Sequence, residues 1–78
     1  MTRKVTMYYM ISKDDCQWCD KAIDLIQENK ENVEVYRYTE HPMIIKLLFE
    51  ANLKTVPQVW YNGTYIGTYE DLVKWFEV

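Results

Sequence analysis

The sequence predicts an α/β fold in which a four-stranded mixed sheet carries helices on its faces. Three observations predict it. Strand-like and helix-like segments follow one another as βαβ and then αββα along the 78 residues. Asn62-Gly63 sits between two strand-like runs, and both central positions of such a tight hairpin need positive φ. The only two cysteines, Cys16 and Cys19, stand together at the head of a segment with helical apolar spacing.

The elements follow in order. Val5-Thr6-Met7-Tyr8-Tyr9-Met10-Ile11 is rich in β-branched and aromatic residues and reads as a buried strand. Ser12-Lys13-Asp14-Asp15 breaks it and leads to the cysteines. From Cys19, the residues Ala22, Ile23 and Ile26 fall on one helical face, with Asp20, Lys21, Asp24, Gln27 and Glu28 elsewhere. Asn29 to Asn32 ends that helix in a polar turn. Val33 to Tyr38 alternates as a second strand, parallel to the first through a right-handed crossover. Thr39-Glu40-His41-Pro42 starts a second helix, with Pro42 tolerated in the first turn. Ile44, Leu47, Leu48 and Ala51 form its apolar face, and Asn52-Leu53-Lys54 closes it. Gln58 to Tyr61 and Thr64 to Gly67 are the hairpin strands. Thr68-Tyr69-Glu70-Asp71 resembles a helix cap, followed by Leu72, Val73, Trp75 and Phe76 on a short final helix.

Composition narrows the function classes. A chain of this length is expected to form one domain, residues 1–78, and to act as a monomer. The 49% hydrophobic and 15% aromatic content suits a packed globule. A net charge of −3 argues against nucleic-acid binding, which wants a basic face. No run approaches the ~18 apolar residues of a membrane span. Met1-Thr2-Arg3-Lys4 is followed by a strand-like run, with no long apolar signal core, so the cytosol is the expected location. Thiols stay reduced there unless they are catalytic.

Cys16-Gln17-Trp18-Cys19 carries the chemistry. A thiol near neutral pH is mostly protonated, and a useful nucleophile needs a lowered pKa. Cys16 is placed to gain this from the helix N-terminus and from Lys13. Asp14 and Asp15 oppose it, unless they point into solvent or cap the helix. Cys19 falls on the inner face of the helix, which suits a resolving thiol that reacts only after Cys16 has captured a partner. Such a dithiol at a helix start reads as a thioredoxin-like redox site. Trp18 fits a partner-contact surface and the core about equally. Pro57 fits either a trans proline opening an edge strand or a cis proline in a tight turn. In cis it would leave the Val56 backbone free to pair with an extended peptide. His41, the only histidine, reads as a surface residue at a helix start. One CxxC and one distant histidine do not supply four zinc ligands, so no metal site is expected.

Ser12-Lys13-Asp14-Asp15-Cys16-Gln17-Trp18-Cys19, then Thr55-Val56-Pro57-Gln58-Val59-Trp60, then Asn62-Gly63 and Ile66-Gly67-Thr68-Tyr69-Glu70-Asp71-Leu72, resembles a compact dithiol glutaredoxin. The resemblance implies the thioredoxin-like fold, with strand order 2-1-3-4 and three helices. It implies a cis peptide before Pro57 and a glutathione groove. Cys16 would hold the glutathione sulfur, Lys13 the glycine carboxylate, and the Val56 backbone the cysteinyl unit. Tyr69, Glu70 and Asp71 would face the γ-glutamyl end, and Gln17, Trp18, Thr55 and Pro57 belong to the same groove. Glutathione would be a co-substrate, with no tightly bound cofactor.

The implied function is a disulfide oxidoreductase in electron transport and cell redox homeostasis. It would act on protein disulfides or glutathione mixed disulfides, with ribonucleotide reductase a candidate recipient. The alternatives are a thioredoxin-like donor recharged by a flavoprotein reductase and a glutathione-ligated iron–sulfur carrier. Three features depart from the family pattern. Gln17-Trp18 replaces Pro-Tyr, Gly67-Thr68 replaces two glycines, and Asp15 and Glu70 add negative charge near an anionic ligand. The last two predict weaker glutathione binding.

Overall fold

The computed structural model describes residues 6–77. The Met1-to-Lys4 start and Val5, expected to open the first strand, lie outside the described residues. Seven elements follow one another: β1 (Tyr8–Ser12), α1 (Gln17–Glu28), β2 (Val33–Arg37), α2 (Met43–Glu50), β3 (Gln58–Tyr61), β4 (Thr64–Gly67) and α3 (Tyr69–Glu77). The four strands form one sheet in the order β2-β1-β3-β4. β1 is parallel to β2 and antiparallel to β3, and β3 is antiparallel to β4. The expected α/β architecture, strand order and three helices are therefore present.

Alternation along β1 decides where the core sits. Tyr8, Met10 and Ser12 are buried, whereas Tyr9 is exposed and Ile11 half-buried. Onto the first face pack Cys19, Ala22 and Ile26 of α1, Val59 of β3 and Leu72 of α3. Ser12, expected to break the strand, is instead its last residue. It pairs in register with Arg37, and its carbonyl accepts the Tyr38 N–H at 3.1 Å. Ladder pairing extends the strand by one residue regardless of side-chain propensity.

The hairpin forms where expected, with φ of 48° at Asn62 and 83° at Gly63. β4 holds one residue more than its partner. Val59 faces Gly67 while Trp60 faces Tyr65, which leaves Ile66 as a bulge.

The second helix departs from its expected face. Of Ile44, Leu47, Leu48 and Ala51, only Leu48 is buried and Ile44 half-buried, while Leu47 is 59% exposed. The helix also begins later than expected. Pro42 is its N-cap, without a side-chain cap, and Met43 its first residue. Its end is a Schellman turn: Asn52 has φ 59°, its N–H bonds the Phe49 carbonyl at 3.0 Å, and the Leu53 N–H bonds the Leu48 carbonyl at 2.8 Å. α1 ends in the same way, with Lys30 at φ 61°. Its N–H bonds the Gln27 carbonyl at 2.9 Å, and the Glu31 N–H bonds the Ile26 carbonyl at 3.2 Å.

Candidate active site

The chain turns from β1 into α1 through Lys13, Asp14 and Asp15, and this turn sets the sulfur of Cys16 at the helix head. Cys16 is the N-cap of α1, in extended conformation, one residue before the helix proper. Its Sγ accepts the backbone N–H of Cys19 at 3.2 Å. Sulfur thus occupies the place that a serine or aspartate oxygen usually takes, where free N–H groups and the helix dipole favour negative charge. Cys16 and Cys19 are joined in a disulfide, with Cα atoms 5.2 Å apart. Both residues are buried, Cys16 at 7% exposure somewhat less completely than Cys19 at 1%.

Neither aspartate competes for the cap. Asp14 faces away toward the end of β2, where its carboxylate accepts the Thr39 hydroxyl at 3.1 Å and pairs with Arg37 at 3.7 Å. Asp15 has φ 52° and is exposed. Neither ion pair among the described residues involves Lys13, which is exposed beside the cysteines.

The Val56-Pro57 peptide is cis. Pro57 and Gln58 are buried and Val56 half-buried. Gln58 holds the loop from inside. Its amide donates to the Thr55 carbonyl at 2.8 Å and accepts the Tyr65 hydroxyl at 2.5 Å. Burial pushes the Tyr65 hydroxyl above its ordinary pKa, with the nearby Asp71 charge acting in the same direction. Neither residue carried a signal in the sequence: a glutamine after a proline is unremarkable until the fold buries it.

At the third corner, α3 begins. The Asp71 carboxylate accepts the Thr68 N–H at 3.1 Å and the Thr68 hydroxyl at 3.2 Å. It therefore closes the helix start upon itself, in the manner of a capping residue three positions in. Gly67, at φ 127°, lies against this carboxylate, and an added Cβ there would meet Asp71 Cγ at 2.8 Å. Trp18 is 52% exposed, which places it at the surface rather than in the core. Its ring lies 5.5 Å from that of Tyr69, and the Lys21 ammonium stands 4.6 Å from the ring centre.

A depression of about 390 Å³ runs between these corners, lined by Trp18, Thr55, Val56, Pro57, Thr68, Tyr69 and Glu70. Of the residues named from the sequence, six line it. Lys13 instead lines a second, larger depression with Thr55 and Val56. Gln17 is exposed on the first turn of α1, and Asp71 is turned to its own helix start. Thr68, singled out in the sequence only as a departure from two glycines, also lines the depression.

The glutaredoxin family model matches residues 5–66. A sequence comparison with curated proteins finds no significant match. Among solved structures, the dithiolic glutaredoxin of Trypanosoma brucei brucei aligns with TM-score 0.81 at 22% identity, over 92% of this chain and 78% of that one. The glutaredoxin of Brucella melitensis aligns with TM-score 0.77 at 14% identity, over 96% and 83%. A buckwheat glutaredoxin–glutathione complex aligns with TM-score 0.78 at 19% identity, over 90% and 67%. At these identities the likeness is one of fold.

Proposed function

This chain belongs to the glutaredoxin family, and from that premise we propose that Cys16 and Cys19 reduce protein disulfides and glutathione mixed disulfides by two successive exchanges. With its CxxC pair the protein is a thiol–disulfide oxidoreductase. The observation that carries the division of labour is the helix-capping sulfur of Cys16, more exposed than Cys19 and already accepting an N–H. The Cys16 thiolate attacks one sulfur of the substrate disulfide. That bond breaks, and the other sulfur leaves as a thiolate that takes a proton from water. Cys19 then loses its proton and attacks Cys16 Sγ. The Cys16–Cys19 disulfide forms, the second substrate thiolate departs, and two electrons have passed to the substrate. Two glutathione thiols return the pair to the dithiol and leave as glutathione disulfide.

Glutathione fits the depression beside the Val56 backbone, with its γ-glutamyl end toward Tyr69 and Glu70 and its glycine carboxylate toward Lys13. The cytosol is the compartment for this cycle, and a ribonucleotide reductase is a recipient consistent with it. A second reading, recharging by a flavoprotein reductase, is favoured by one observation: the Asp71 oxygen is already committed to Thr68. Turnover of the hydroxyethyl–glutathione disulfide, coupled to glutathione reductase and run beside a thioredoxin reductase assay, tests the proposal. Activity with glutathione is expected. Activity with the flavoprotein alone would overturn the glutathione cycle and leave the dithiol chemistry standing.

A further inference from the structure

The larger depression, about 660 Å³, shares Thr55 and Val56 with the smaller one and then diverges from it. Its apolar lining comes chiefly from Tyr38, from Ile45, Leu48 and Phe49 of α2, and from Leu53 just beyond that helix. Phe49 is 77% exposed and Ile45 40%, so α2 leaves large apolar side chains in water. The charged residues on the lining are Lys13 and Lys54, and no carboxylate lines it. A cationic, apolar groove in a chain of net charge −3 stands out from the rest of its surface.

We propose that this groove seats the polypeptide flanking a substrate cysteine, and that it selects a large apolar residue next to an acidic one. The inference rests on the reading of Cys16 as attacking thiol and deepens it by naming the substrate class. An extended segment whose cysteine meets Cys16 can pair with the Val56 backbone, and its neighbouring residues then pass to either side of Val56. One side is the 390 Å³ depression and the other is this groove. Glutathione ends at its glycine carboxylate, at the level of Lys13, and leaves the α2 part empty. A polypeptide continues past Lys13 and covers Ile45 and Phe49, while its carboxylate meets Lys13 and Lys54. A second copy of this chain fits less well, because it would bring two such lysine pairs and two net negative charges together.

Single-turnover reduction by the full chain distinguishes the occupants. The probes are peptide disulfides with Leu-Glu before the cysteine, Leu-Glu after it, or Ser-Gln on both sides, run beside hydroxyethyl–glutathione disulfide. One Leu-Glu peptide is expected to exceed the Ser-Gln peptide about tenfold in kcat/KM, as burying part of a leucine provides. Phe49→Ser and Lys54→Glu should each remove most of that preference, with Phe49→Leu restoring the first, while the hydroxyethyl–glutathione rate stays unchanged. Equal rates for all three peptides would overturn the inference. So would a parallel loss on every substrate, or a wild-type dimer that Phe49→Ser converts to monomer. If the wild type reduces none of the four probes, the oxidoreductase reading itself fails and takes the inference with it.

Discussion

The sulfur of Cys16 caps α1 and is the nucleophile of the proposed cycle, and substitution separates the two roles. Serine keeps a capping oxygen but loses the reactive thiolate. Cys16→Ser is therefore expected to fold with a Tm close to that of the reduced parent and to reduce no disulfide. Residual turnover above a few per cent would refute the assignment. Cys19→Ser should stop reduction of protein disulfides but keep deglutathionylation, which needs one thiol. Faster alkylation of Cys19 than of Cys16 in the native dithiol would reverse the roles. In the proposed glutathione groove, Thr68 and Lys13 are the residues expected to set the affinity. Thr68→Gly removes a Cβ from the depression and the hydroxyl that engages Asp71. It should lower the KM for glutathione. Lys13→Ala would remove the proposed contact to the glycine carboxylate, worth about 1.5–3 kcal/mol if charge-assisted, and should raise that KM roughly tenfold or more.

Among the elements, α2 and the β4–α3 junction behave in opposite ways. α2 buries one side chain, so its stability depends on Leu48 and hardly on its neighbour. Leu48→Ala should cost about 2 kcal/mol, at the low end for a leucine that is not fully enclosed, while Phe49→Ser should leave the urea midpoint nearly unchanged. A comparable loss from both would mean that α2 packs more of its surface than Leu48. The junction is tighter. Gly67 combines φ 127° with a carboxylate where a Cβ would stand. Gly67→Ala should destabilise by more than about 1 kcal/mol, measured by urea unfolding, because alanine gains no unfolded-state advantage where its native φ is strained.

Across the whole molecule, the N-terminal strand and the C-terminal helix are joined by polar aromatic contacts. The Trp75 indole N–H donates to the Tyr8 hydroxyl at 3.0 Å, and the Tyr8 ring lies 5.7 Å from that of Phe76. Burial pushes the Tyr8 hydroxyl above its ordinary value of 10.0, which its hydrogen bond from Trp75 only partly offsets. Burial raises Tyr65 as well. In both cases the folded state holds the proton more tightly than the unfolded chain does. Stability from these groups is therefore fully present below the unfolded value of 10.0 and declines as pH rises through the folded values. The urea midpoint should be level through the approach to pH ~10 and fall above it. A midpoint that stays level well past that point would contradict the burial of the Tyr8 hydroxyl, since Tyr65 as a residue is 46% exposed.

The residue order by itself determined what depends on local periodicity and turn chemistry. Asn62-Gly63 specified the hairpin, Cys16 and Cys19 the redox pair at a helix head, and the alternating apolar runs the four strands and three helices. These signals are legible because each acts over a few residues of chain. Several features became visible only in three dimensions. The bulge at Ile66 and the extra ladder residue Ser12 come from pairing with strands distant in sequence. Lys30 and Asn52 take the left-handed turns that glycine would have advertised. Asp14 pairs with Arg37, which the crossover of α1 and β2 brings to it. Gln58 becomes a buried clamp on Thr55 only because Tyr65 folds back across the hairpin. The apolar face read for α2 assumed that a helical stripe finds a covering layer. Tertiary packing covers Leu48 and leaves Leu47 of the same face in water, because periodicity states which side chains share a face and not whether the fold supplies a partner for it.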